Sequence, residues 1–161
     1  MKKLLFILPL VFLLCFSFSC QKAEEVAEKP AVDIAVEEAA IRGTMKKAID
    51  GLSNHDIQAH LSTLSENYET WSGKGDLKTR EQHFIKLWEW QKSVKYNVVE
   101  ELGISFIYPD CALFKARCEN TGEIEKDGTP IPKNEWQGVW ILVKKERNWI
   151  IAAWYTRPIE K

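Results

Sequence analysis

Apolar positions recur at helical spacing through the first half of the chain and at alternate positions through the second. Ile34, Ile41, Met45, Ala48 and Leu52 fall on one helical face. Gly51 and the cluster SNHD end that helix. Asp56 is placed to cap a short second helix with Ile57, Leu61 and Leu64 on its inner side. ENYETWSG predicts a short strand and a turn. Thr79, with Gln82 three places on, predicts the start of a third helix whose inner face holds Phe84, Leu87, Trp88 and Gln91. After Lys92 the period changes from helix to strand. Val94, Tyr96, Val98, Leu102, Ile104, Phe106 and Tyr108 share one parity, and Pro109-Asp110 makes a turn.

The next strand separates cleanly into a dry set, Ala112, Phe114, Ala116 and Cys118, and a wet set, Lys115, Arg117 and Glu119. EKDGTPIP reads as a long hairpin loop, and two further strands, about 136–144 and 149–156, turn through KERN. The last of these is unusual. Trp149, Ile151, Ala153, Tyr155 and Arg157 lie on one face and Ile150, Ala152, Trp154 and Thr156 on the other, so both faces are largely apolar and both need cover. Three helices and a run of long antiparallel strands predict an α+β domain with segregated layers.

At this point the residues resemble a family. HDIQAHLSTLSENYETW is similar to the second helix and first strand of the nuclear transport factor 2-like superfamily, in its SnoaL-like (ketosteroid isomerase-like) branch. YPDCALF resembles its recurring turn, and WILVKKERNWIIAAWYTRP its final hairpin. The resemblance covers about residues 34–158. It implies three N-terminal helices packed on a curved antiparallel sheet, forming a cone with a cavity, and a convex face that often serves as a dimer interface. By resemblance Trp149, Ile151, Ala153, Tyr155 and Arg157 face inward. This leaves Ile150 and Trp154 on the convex face as an apolar patch and implies a homodimer with Trp154 near its axis.

Enzymes of the superfamily commonly hold a carboxylate deep in the cone. Glu100 shares the parity of Val98 and Leu102 and is the candidate, unless a β-bulge at EELG, favoured by Gly103, returns it to solvent. The later inward positions, where members often carry His and Ser, hold Ala153, Tyr155 and Arg157 here, which departs from an inherited acid–base role. Tyr68, Tyr96 and Tyr155 are candidate donors to a ligand oxygen, Trp71 and Trp88 candidate pocket walls, and Arg157 a candidate partner for an anion at the cone mouth. For each, a satisfied core or solvated surface role is the competing account.

Other chemistry is excluded by spacing. His55, His60 and His83 lack metal-ligand spacing, and SGKGD lacks that of a phosphate-binding loop, so neither a metal nor a cofactor is expected. Cys111 and Cys118 on one strand would stand about 23 Å apart at ~3.3 Å per residue, beyond disulfide reach. The formal net charge of −1, from 22 Lys and Arg against 23 Asp and Glu, offers nucleic acid no general attraction.

The first residues change the setting. Lys2 and Lys3 precede an apolar run from Leu4 to Phe18, then Ser19 and Cys20. SFSC resembles a lipobox, which implies a bacterial lipoprotein cleaved after residue 19 and lipidated at Cys20, with plain secretion the alternative. Residues 20–31 read as an anchor and flexible tether, and 32–161 as the domain. The protein is then expected in the cell envelope, facing the periplasm. Three functions stay open: a lipid-anchored module binding a small apolar or aromatic molecule, a dimeric assembly module, and an isomerase, hydratase or cyclase using a buried carboxylate. An interior acid would favour the enzyme, and a cavity without one the binder.

Overall fold

The computed structural model describes residues 33–125, 130 and 132–159. The signal, Cys20 and the tether lie outside them, as does most of the EKDGTPIP loop. Helix α1 spans Ile34–Ser53, and the Asp33 carboxylate accepts from the amides of Ala35 and Val36 at its start. It buries Ile41, Met45, Ala48 and Gly51, so the expected stripe holds in its centre, while Ile34 stays exposed and Leu52 half-buried. Gly51 is a close-approach position. A Cβ there would lie 2.7 Å from the backbone nitrogen of His60, so only glycine lets α2, Ile57–Leu61, cross against α1. Asp56 caps α2 as expected, accepting from the Ala59 amide at 2.9 Å.

Strand β1, Leu64–Thr70, and β2, Gly73–Asp76, form a hairpin, so SGKGD supplies a strand where the sequence predicted only a turn. Helix α3 spans Leu77–Trp90 and begins one residue after Asp76. Asp76, rather than Thr79, is its cap. Its carboxylate accepts from both the amide and the hydroxyl of Thr79 at 2.9 Å, and a carboxylate satisfies first-turn donors better than a hydroxyl.

Four long strands follow: β3 Gln91–Tyr108, β4 Cys111–Glu125, β5 Glu135–Lys145 and β6 Asn148–Pro158. With the first hairpin they make a curved, unclosed six-stranded sheet of order β2-β1-β6-β5-β4-β3. It is antiparallel except that β1 runs parallel to β6, a pairing the sequence pattern did not announce. The alternation of β4 is as expected: Ala112, Phe114, Ala116 and Cys118 are buried against the helices.

The last strand differs from expectation. Leu142 pairs with Ile151 and Ile141 with Ala153, which leaves Ala152 as an extra, bulged residue. A one-residue insertion reverses every later side chain. Trp149 and Ile151 face the helices as expected, but beyond the bulge Trp154 and Thr156 turn inward while Tyr155 and Arg157 turn outward. Both faces of the strand are apolar in sequence because the inward face changes parity midway.

Trp149 also ties the helix layer to the sheet. Its Nε1–H donates to Glu37 at 2.7 Å, and Lys144 donates to the other oxygen of the same carboxylate. These two bonds, the lysine's the larger, hold the Glu37 carboxyl below its usual range.

Candidate functional site

A cavity of about 190 Å³ lies between the helices and the concave face of the sheet. Met45, Ala48 and Ile151 supply aliphatic wall, and Phe84, Tyr96, Trp136, Trp140 and Trp154 supply aromatic wall. The Trp140 ring lies against Gly138, where a Cβ would come within 2.3 Å of the indole, so this glycine gives the ring its room. Among the described residues, polar groups reach the lining from His60, Arg80, Asn97, Cys118 and Thr156, and no Asp or Glu does. Burial pushes the Cys118 thiol up to about 11, leaving it an unreactive apolar neighbour.

A column of rings runs along α3. His55 stacks on Trp88 at 4.7 Å, Trp88 meets Phe84 at 5.3 Å, the Arg80 guanidinium lies 4.4 Å over Phe84 and 4.8 Å over Trp154, and Trp154 stacks on Tyr68 at 4.8 Å. Two π-systems thus lie against that guanidinium. Burial lowers the Arg80 pKa to about 10, with a small opposing pull from Tyr68 and Tyr96, so it is a cation at neutral pH.

His60 is 4 % exposed. Its Nδ1 is 3.0 Å from the carbonyl of Ala48, which can only accept, so the neutral ring carries its proton on Nδ1 and leaves Nε2 as an acceptor. Nε2 has no partner. Burial, opposed by that hydrogen bond and reinforced by nearby Arg80, lowers its pKa to about 4.

The residues expected from the sequence divide. Tyr96 lines the cavity, and Tyr68 is buried beside it in stacking contact with Trp154. Trp88 lies one ring behind, packed on Phe84. Trp71 sits at the tip of the β1–β2 turn and is 75 % exposed. Tyr155 and Arg157 are on the convex face, where Arg157 donates to Gln137 at 2.8 Å. Glu100 is also outside. Irregular pairing on either side of it, between Val98 and Glu100 and between Glu101 and Gly103, aims it outward, where it accepts from Arg117 at 3.0 Å. The bulge alternative is therefore the one the structure adopts. Arg80 and His60 were missed, though a signal was present: each stands at helical spacing among inward apolar residues, Arg80 between Leu77 and Phe84, His60 between Ile57 and Leu64. Among the described residues, no group of three or more His, Cys, Asp or Glu is arranged to hold a metal.

No family model matches the sequence, and no curated protein is detectably similar to it. Solved structures are similar in fold. A hexachlorocyclohexane dehydrochlorinase (LinA) of type 2 superposes with a TM-score of 0.69 at 10 % identity, over 78 % of this chain and 87 % of that one. A nuclear transport factor 2-like superfamily protein from Salmonella enterica gives 0.67 at 10 %, over 79 % and 94 %. A ketosteroid isomerase-like protein from Erwinia carotovora gives 0.60 at 17 %, over 78 % and 98 %. The chain thus has the nuclear transport factor 2-like cone fold. Identities this low carry the fold and leave the function to the site.

Proposed function

We propose that this protein is a binding module for a small aromatic molecule, held in the cone cavity and carried on a lipid anchor in the bacterial envelope. The observation that carries the binding reading is the cavity itself: five aromatic side chains around about 190 Å³, with no carboxylate among the described lining residues. An apolar cavity of ~150 Å³ accommodates benzene, so this one suits a single ring with a small substituent. Glu100, the candidate acid of the enzyme reading, pairs with Arg117 outside the cavity. Titrating one-ring compounds, charged and neutral, into the soluble domain is expected to shift the indole N–H resonances of Trp136, Trp140 and Trp154 together. Shifts confined to exposed Trp71 would place binding elsewhere and refute the cavity site.

The anchor is supported by the sequence alone: the basic start, the short apolar run and Cys20 before a polar tether. A fatty-acid probe is expected to label the wild-type chain and not Cys20→Ala. Label retained in the variant would exclude this residue as the lipid site.

A dimeric arrangement has support of its own. Leu113, Ile141, Val139 and Tyr155 face outward across neighbouring strands as an apolar strip, with Lys115 among them. Pairing of two such strips is the commonest way to cover them. Trp154 takes no part, since it faces the cavity. Sedimentation of the domain is expected to give a dimer, and Ile141→Lys a folded monomer. A wild-type domain that remains monomeric at high concentration contradicts the dimer.

A further inference from the structure

We propose that the ligand of the cavity is a one-ring aromatic carboxylate, its anionic group held by the edge of Arg80. This inference rests on the binding reading above and names the ligand's chemical class.

The argument begins with what Arg80 lacks. It projects from α3 at a position the helix otherwise gives to core residues, one turn before Phe84. Among the described residues it has no carboxylate partner, and its Nε has no acceptor. A desolvated, unpaired cation is costly to keep in a fold. The rings of Phe84 and Trp154, 4.4 and 4.8 Å from the guanidinium, offset part of that cost. They do nothing for its rim, where all five N–H donors lie in the guanidinium plane. The group that fits a guanidinium rim in two-point contact is a carboxylate.

The rest of the cavity fits the same molecule. Arg80 borders both the cavity and an outer groove formed with Tyr68, Thr79 and His83, so the anion sits at the shared wall and the ring points inward among Trp136, Trp140 and Tyr96. Among the described residues no lining carboxylate repels it. Neutral His60 also borders the cavity, its Nε2 buried and without a hydrogen-bond partner among the described residues. The site therefore combines a fixed cation with aromatic walls. This explains why a charged residue occupies a place where methionine would fill the space without the cost of burying a charge.

The test uses benzoate, phenylacetate and 4-hydroxyphenylacetate, each against its primary amide, titrated into wild-type protein and Arg80→Met by calorimetry. The amides match the acids in shape and differ in charge. At least one acid is expected to bind wild type at least tenfold more tightly than its amide. Arg80→Met is expected to stay folded, with an unfolding temperature equal to or above wild type, and to bind acid and amide within twofold of each other. Acids and amides binding wild type equally would overturn the carboxylate assignment and leave the cavity reading standing. An acid preference that survives in Arg80→Met would move the anion site to another residue. Failure of all six compounds to bind would overturn both readings. A lower unfolding temperature in Arg80→Met, together with an unchanged acid preference, would reduce Arg80 to a structural role.

Discussion

Trp149→Ala is expected to destabilise the domain by about 3–5 kcal/mol, the range for removing a large aromatic side chain from a core. Trp149 is 3 % exposed and meets Phe106 edge-on at 6.0 Å. Its loss opens a void between α1 and the β5–β6 hairpin and removes the indole N–H that Glu37 accepts at 2.7 Å. Trp149→Phe separates the two effects. It keeps most of the buried area and leaves Glu37 with the Lys144 bond alone, for a loss of about 1–3 kcal/mol. Urea unfolding of both variants measures the difference. A loss below ~1 kcal/mol in Trp149→Ala would mean that this contact does not hold the helix layer on the sheet.

The second large effect is a dependence on pH through His60. Its folded-state pKa is about 4 against an ordinary 6.5, chiefly because burial disfavours the charged ring. Between those values the unfolded chain binds a proton that the folded chain refuses, so stability rises with pH across the window and is lost on acidification from about pH 6.5 towards 4. At 1.36 kcal/mol per pKa unit the full loss is about 3 kcal/mol. Carboxylates contribute to acid unfolding too, so the measurement is a comparison. Unfolding free energies of wild type and His60→Gln between pH 7 and 4 are expected to converge as pH falls, because only the wild type carries this linkage. Parallel curves would show that His60 titrates in the folded state as it does in the unfolded chain.

The elements were legible where a single rule governs them. Ala112, Phe114, Ala116 and Cys118 alternate without interruption, and their strand appears with the expected face buried. Asp56 announces α2 by its cap. The site was less legible, for two reasons. A bulge moves a side chain across the sheet without leaving a mark in the pattern. Ala152 reversed Trp154, Tyr155 and Arg157 in this way, and only the pairing with β5 reveals it. Gly103 did hint at the irregularity that turned Glu100 outward, since its φ of +130° suits glycine. The second reason is that an arginine on an amphipathic helix ordinarily belongs to the wet face. Arg80 lies instead between Phe84 and Trp154, and Trp154 comes from a strand distant in sequence. No local pattern joins those two segments.

The central claim is that the space between these rings is a ligand site, and one crystallographic measurement addresses it directly. The soluble domain is crystallised with 4-bromophenylacetate and bromine is located by anomalous scattering. A bromine peak is expected inside the cavity between Trp136 and Trp140, with the carboxylate on the rim of Arg80. Bromine found only on the convex face or in the outer groove, with the cavity closed by its own side chains, would contradict the account.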